Sequence, residues 1–498
     1  MSVGPEDGTR PDDPEVLSTL LERQRHAFLR DGIPGIALRR DRIDRLMSVL
    51  FDNSDALCET LRLDFGHRPR NTTLLSDVLG ISADVAHIRS ALRKWMRPRS
   101  LQPLARLFGV HAIVEARPKG IIGIIGPWNF PLALVVQPAV AALAAGNRVM
   151  IKVSEVTPRT AELFKRKVEE SFSPEELVVI TGGSEAGEEF SRLPFDHLLF
   201  TGSADVGRNV MRAAAENLVP VTLELGGKNP AVVGRDADLH QSAHRIAGAR
   251  MVNGGQTCLC PDYVFVLESR TQEFIDALCA AFLRHHPVIL DSEDHCTIVS
   301  NYHYQRLMSL LDDARRKGAH IREAGPPGEQ LPHENQRRMA PTVLANVTDD
   351  MNITRQEIFG PLITVHPYRQ ISEVISYVNG RPSPLAAYWF GGNSDDYEKF
   401  RSNVRSGGIA RNDFALHAAI KDAPFGGIGQ SGMGAYHGRN GFDAFTHRRT
   451  VASSRLPWSV SSLYSHQKPS ILTHLSEYVL AHQRRVFARR RARNAHCS

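Results

Sequence analysis

Between residues 121 and 201 the chain alternates short, β-rich apolar runs with helix-forming segments, and this alternation restricts the fold more than any other feature. IIGII at 121–125 precedes a helical stretch at 132–145; RVMIK at 148–152 precedes a helix starting at Pro158; LVVIT at 177–181 and HLLFT at 197–201 follow. Strands joined through helical crossovers lie parallel, so an α/β domain of the dinucleotide-binding type is expected. A second α/β set begins near Gly226, with strands at 231–233 and 263–267 and helices from about Leu239 and at 274–283. At 498 residues, 42% hydrophobic and 23% charged, the chain is long enough for two or three domains of a soluble globular protein.

The flanking segments narrow the classes further. Residues 15–100 carry apolar side chains at helical spacing, as in Leu17, Leu20 and Leu21 and again in Ile43, Leu46, Met47 and Leu50, and should cover a sheet. HAIVEA, ending at Ala116, follows a linker broken by Pro98 and Pro103 and need not join the main sheet. Residues 324–340 have the composition of a surface loop. The run from Gly120 to Gly146 is long enough to span a bilayer, but Pro127, Asn129, Pro131, Gln137 and Pro138 interrupt it, which favours a buried strand, turn and helix. The N-terminal residues are polar and acidic, without the apolar core of a secretory signal. Six cysteines (Cys58, Cys258, Cys260, Cys279, Cys296, Cys497) show no disulfide ladder or zinc spacing, so reduced thiols, a cytoplasmic setting and no metal are expected. The net charge of +6 is matched by Arg484, Arg485, Arg489, Arg490, Arg491 and Arg493, leaving the body near neutral. Ile471, Leu475 and Val479 suggest an amphipathic helix leading into this basic tail. Such a tail could touch anionic lipid; without aromatic stacking platforms, nucleic acid is not expected.

Several short motifs could carry chemistry. NGGQTCLC (253–260) offers a thiol, Cys258, in a turn that Gly254 and Gly255 open to close approach, although a buried structural cysteine would give the same letters. ELGGKNP (224–230) puts Glu224 at a strand end, where burial would raise its pKa and suit it to general-base work; a surface glutamate is the plainer alternative. PWNFPL (127–132) places Asn129 in a strand-to-helix turn, the position where open α/β sheets hold ligands and where an amide can donate to an oxyanion. KVSE (152–155) sets Lys152 and Glu155 within reach of two ribose hydroxyls, and FTGS (200–203) with Gly207 opens a helix, although neither pattern is specific alone.

Taken together with EIFGP (357–361) and PFGGIG (424–429), these motifs make the chain resemble the aldehyde dehydrogenase superfamily over about residues 15–450. YHG (436–438) and FTH (445–447) are similar to the class 3 branch, and QRHAFLRDG, RRDRIDRL, DFGHR and KWMRPRS look most like coniferyl aldehyde dehydrogenases. The resemblance implies Cys258 as nucleophile, Glu224 as general base and Asn129 as oxyanion-hole donor. It also implies cofactor contacts at Lys152, Glu155, Gly202, Ser203 and Gly207, with Glu357 on the nicotinamide ribose and Phe359 near the ring. The family usually has proline where this chain has Val153, and many relatives lack a cysteine at Cys260, which is either a packed bystander or a partner for a reversible disulfide with Cys258.

The implied fold is a Rossmann-type NAD(P)-binding domain (1–100 and 119–225), an α/β catalytic domain (226–445), a small β oligomerisation arm (101–118 and 446–455) and a basic tail (456–498). The implied activity is oxidation of an aldehyde, aromatic and coniferyl-like before aliphatic, to the acid by a homodimer. NAD is favoured because Glu155 would repel a 2′-phosphate, with NADP as the alternative. A non-catalytic NAD-binding protein on the same fold would have lost Cys258, Glu224 or Asn129, and all three are present.

Overall fold

The computed structural model describes residues 14–102, 106, 109–456, 459 and 470–494. Cys497, Pro103 and the N-terminal segment read for a targeting signal lie outside the described residues. The chain up to Arg97, together with Ala116–Arg448, makes one compact unit, so the boundary expected at 225/226 is internal to it. A six-stranded sheet runs in the order Gly432–Met433, Val221–Leu225, His197–Gly202, Ile121–Ile125, Arg148–Lys152, Leu177–Ile180. The last five strands are mutually parallel. Ile121–Ile125 has strands from both later directions beside it, so the topology reverses between it and His197–Gly202. Chain leaving the ends of these two strands, at Pro127–Asn129 and Gly202–Ser203, therefore opens a crevice of the kind in which such sheets bind ligands.

The run that was long enough for a bilayer divides as its breakers require. Ile121–Ile125 is fully buried, a turn carries Pro127 and Asn129, and Ala133–Ala145 is a buried helix closed by Gly146 in the left-handed region at φ 94°. No described helix is long and apolar enough to cross a membrane. A helix the sequence reading did not foresee, Ser184–Arg192, fills the crossover before His197; only Ala186, Phe190 and Ser191 are buried on it. So short an apolar face gives little periodic signal.

The seven-stranded sheet takes its strands from 229–411, in the order His320–Glu323, Thr342–Ala345, Leu362–Tyr368, Pro261–Leu267, Asn229–Val233, Ala386–Phe390, Gly408–Arg411. All its pairings are parallel except the first. The glycine-dense return segment does not stay with this sheet. Gly432–Met433 pairs antiparallel with Val221–Leu225, with Gly432 opposite Glu224. At Gly432, φ is 144° and a Cβ would lie 2.3 Å from the Leu223 carbonyl oxygen, so only glycine lets the backbone come this close.

The early helices Pro14–Asp31, Ile36–Asp52, Ser54–Phe65 and Ser82–Trp95 bury the expected faces: Leu17 and Leu21, then Ile43, Leu46, Met47 and Leu50. Residues 324–340 form a loop, although Arg338, Met339 and Ala340 turn inward and are buried. Pro98–Glu115 and the chain from Arg449 form the second unit. Arg99–Leu101, Val110–Pro118 and Thr446–Ser454 make a separate three-stranded sheet. Ser470–Asn494 is helical, and Leu475, Tyr478, Val479, Leu480 and Phe487 are exposed on it.

Leu199 lies in the central strand His197–Gly202 with 0% exposure, between residues of the main core cluster. Leu199→Ala should cost about 2–5 kcal/mol, read as a lower midpoint in chemical unfolding. An unchanged midpoint would mean that the strand's inner face is not a close-packed part of the core.

Candidate active site

The helix Leu239–Met251 ends in a turn that runs against the usual backbone preference. Asn253 takes φ 52°, Gly254 66° and Gly255 79°, all in the left-handed region. A Cβ at Gly255 would lie 2.3 Å from the Gly360 carbonyl oxygen, so the glycine is needed for packing against the EIFGP loop. Gln256 then locks the turn: its Nε2 donates to the Asn253 carbonyl at 2.8 Å and the Thr297 carbonyl at 3.0 Å, and its Oε1 accepts from Val299 N at 2.9 Å. Asn229 holds the next residues, donating from Nδ2 to the carbonyls of Cys258 (2.7 Å) and Cys260 (3.0 Å). Cys258 is half-buried at the end of this scaffold.

Glu224 enters from the other sheet on Val221–Leu225, 2% exposed, and both of its carboxylate oxygens are buried with no hydrogen-bond partner among the described residues. Burial pushes its pKa well above the usual carboxylate range. Burial, then the carboxylates of Glu224 and Glu357, push the Cys258 thiol up as well. Glu357 is driven up to about 8 by burial and by Asp262, against the Gly227 N–H, Lys228 and Arg306. Asn129, 3% exposed, donates one amide hydrogen to the Gln256 carbonyl at 3.1 Å. That bond fixes the plane of the amide and leaves its second hydrogen for another acceptor.

A cavity of about 930 Å³ brings seven of the expected residues together: Asn129, Gly202, Ser203, Glu224, Cys258, Glu357 and Phe359. Lys152, Glu155 and Gly207 are not among its lining residues. Lys152 is buried and donates to the carbonyls of Val153 and Gly182, both at 2.8 Å, with the Glu155 carboxylate 4.0 Å away. Gly207 lies in the helix Ala204–Glu216, where a Cβ would meet the Leu225 side chain at 2.7 Å, so its small size serves helix-to-strand packing. Ser203 caps the same helix, its Oγ accepting from Val206 N at 3.4 Å.

Sequence reasoning missed other contributors. His303 and Arg306 line the cavity from the first turns of Asn301–Arg316, three residues apart on one helix face after the cap Ser300. That spacing was the available signal. Arg306 donates to the Glu357 carbonyl at 3.1 Å. Trp128 meets Phe359 edge-on at 5.3 Å and His303 at 4.8 Å between ring centroids, giving one aromatic wall. Tyr436 buries a hydroxyl that has no partner, and its ionisation is pushed up by burial and then by Glu224 and Cys258. The neighbouring thiol is simpler: Cys260 is free and donates to the Ala249 carbonyl at 3.3 Å, as a packed bystander would.

The aldehyde dehydrogenase family model matches residues 35–451, most of the chain and every site residue above. The chain belongs to the aldehyde dehydrogenase family. It is 43% identical over 439 residues to a protein of Caulobacter vibrioides described as a probable coniferyl aldehyde dehydrogenase, covering 88% of this chain and 90% of that one. Over 437 residues it is 41% identical to the coniferyl aldehyde dehydrogenase of a Pseudomonas species, with the same coverage of 88% and 90%. The substrate-bound state of Staphylococcus aureus AldH superposes with a TM-score of 0.85 at 33% identity, covering 93% of this chain and 98% of the other. The two sheets are thus those of the aldehyde dehydrogenase fold, and the protein is an aldehyde dehydrogenase.

For this dehydrogenase the electrostatics carry a sign. Cys258 and Glu224 are both held above their ordinary pKa values, and in the roles of nucleophile and base that the resemblance implies each would have to lose a proton. Turnover should therefore rise with pH and still be rising in the alkaline range, measured as cofactor reduction at saturating aldehyde. A profile that is flat or falls over that range would remove both groups from the rate-limiting step.

Proposed function

We propose that Cys258 attacks the carbonyl carbon of an aldehyde and that the product is the carboxylic acid. The observation that carries this reading is the meeting, in one cavity, of a thiol, an amide donor and a buried carboxylate with no partner of its own. As sulfur adds, the oxyanion is held by the free hydrogen of Asn129 Nδ2, a contact typically worth a few kcal/mol in the transition state. The resulting thiohemiacetal leaves its carbon poised to lose hydride. Glu224 then takes a proton from water as it attacks the thioester on Cys258, which releases the acid and restores the thiol.

The residues present suit a nicotinamide dinucleotide. The Gly202–Ser203 turn lies at the start of a helix whose first N–H groups and dipole favour a pyrophosphate. At Gly226 a Cβ would fall 2.2 Å from the Glu357 carboxylate, so the backbone there leaves that group facing the cavity, where it can accept from ribose hydroxyls. Phe359 would pack near the nicotinamide ring. Lys152 and Glu155 would grip the other ribose, with Gly207 behind the pyrophosphate turn. Bound there, the cofactor supplies the hydride acceptor. Family members use NAD(P), and the Glu155 carboxylate favours NAD over NADP in this chain.

The substrate proposed is an aromatic aldehyde of the hydroxycinnamyl, coniferyl type. The wall of Trp128, His303 and Phe359 offers ring faces and edges to a flat substrate, in keeping with the names of the two relatives from Caulobacter and Pseudomonas. The six-stranded half would serve the cofactor, the seven-stranded half the aldehyde, and the separate three-stranded sheet a homodimer contact. The five described cysteines are free thiols, which suits the reducing cytoplasm.

Two measurements test the reading. Coniferaldehyde, hexanal and a long-chain aldehyde are each assayed with NAD and with NADP, using Cys258→Ala as the blank. Coniferaldehyde with NAD should give the highest kcat/KM and the blank should be inactive; aliphatic preference would overturn the substrate, and an active blank the nucleophile. Glu224→Gln should keep a stoichiometric burst of NADH while steady turnover falls about 10²-fold. Loss of the burst would place Glu224 in the first chemical step instead.

A further inference from the structure

The DFGHR motif, which marks the branch in the sequence, has no part in the chemistry derived so far, yet its arginine reaches the centre of the site. Arg68 has a side chain 0% exposed and is paired with Asp77, also 0% exposed, at 2.8 Å. Its Nε donates to Asn253 Oδ1 at 3.0 Å, and its Nη2 donates to the Asn129 carbonyl at 3.3 Å. The guanidinium carbon lies over the rings of Phe65 (5.0 Å to the centroid) and Phe130 (5.4 Å). Asp77 completes the frame from a π-helical turn, its Oδ1 accepting from Leu132 N at 3.1 Å and Ala133 N at 3.2 Å, the first N–H groups of the helix after PWNFPL. Asn253 in turn donates from Nδ2 to the Asn129 carbonyl at 3.1 Å.

We propose that Arg68, held by Asp77, is a positioning residue for the oxyanion site. It fixes both ends of the geometry at once: the backbone of Asn129, whose amide faces the cavity, and the left-handed Asn253 that opens the turn to Cys258. A planar fork does what a lysine could not, because two separate acceptors are engaged by nitrogens in a fixed plane. The full desolvation of the pair points the same way. An ion pair with no exposure adds little net stability over an apolar pair, whereas it does fix orientation.

This inference rests on the reading of Asn129 as the oxyanion donor, and a double-mutant cycle separates the two. Wild type, Asn129→Ala, Arg68→Met and the double variant are compared by the rate constant of the pre-steady-state NADH burst with coniferaldehyde, per titrated Cys258. Melting temperature and NAD binding by fluorescence are recorded alongside. Asn129→Ala should slow the burst about 10²-fold or more, and Arg68→Met about 10²-fold, with NAD binding unchanged. In the Asn129→Ala background, Arg68→Met should cost less than about threefold further, since both act through one group. If Asn129→Ala leaves the burst intact, the oxyanion reading itself fails and this one with it. If Asn129→Ala is slow but the two losses multiply, or if Arg68→Met lowers the melting temperature while the burst per active site stays at the wild-type rate, the positioning role is overturned. Arg68→Lys goes through the same cycle and keeps the test decisive if the methionine variant does not fold: it retains the charge, loses the fork, and should fall between wild type and Asn129→Ala.

Discussion

The buried Asp262 and Arg250, with the partly buried Lys228, tie together the segments that carry the site. Asp262 accepts from Lys228 and, at 3.2 Å, from both Arg250 and Ile358 N. Lys228 also donates to the carbonyls of Ile353 (2.9 Å) and Gln356 (3.0 Å), and Arg250 to those of Pro261 (3.0 Å) and Gly360. In one network the GGKN turn, the helix before Cys258, the strand after it and the EIFGP loop are held in a single arrangement. An ion removed from water is tolerated only when such partners replace its hydration, so removing any one member would leave uncompensated charge behind. The cations of the network are engaged by loop carbonyls and by Asp262, while burial and the carboxylates of Glu224 and Glu357 set the thiol of Cys258.

That distribution explains the character of the cavity. With burial uncompensated by a cation, Glu224 and Cys258 both favour their neutral forms, and Glu357 follows at about 8. A carboxyl without a partner costs little to bury while protonated and becomes a strong base once it ionises, and a thiol in the same surroundings stays quiet until a proton acceptor is in place. The amide of Asn129 contributes no charge of its own. In the proposed role it would stabilise only negative charge developing on substrate, and the bonds that set its orientation run to Gln256, Asn253 and Arg68.

How much of this was legible in the letters varies by residue. The strands of the first sheet and its helices other than Ser184–Arg192 announced themselves by period and length, and the turns by proline and glycine. Asn129, Glu224 and Cys258 were legible as members of a family pattern, the first two after apolar runs and Cys258 in a glycine turn. Other residues were not. Asn229 looks like an ordinary amide after GGK until the chain brings the carbonyls of Cys258 and Cys260 to it. Arg68 lies far along the chain from Asn253, and no local pattern links them. The paired glycines were read as room for a reacting atom, whereas Gly255 makes room for the Gly360 carbonyl. For Lys152, only the structure shows that its Nζ, read as reaching for a ribose, also donates to the carbonyls of Val153 and Gly182.

By itself, then, the sequence determined the α/β class, the parallel sense of the strands and the kinds of side chain at their ends, because periodicity, chain-breaking residues and crossover length act over a few residues. Only the tertiary structure decided that Gly432–Met433 returns to the sheet of Glu224, that Arg68 joins the Asn129 and Asn253 turns, and that Glu224 is left without a partner. Those outcomes depend on burial and on hydrogen bonds between distant segments. Desolvation and long-range pairing are properties of the packed molecule, and no window of sequence contains them.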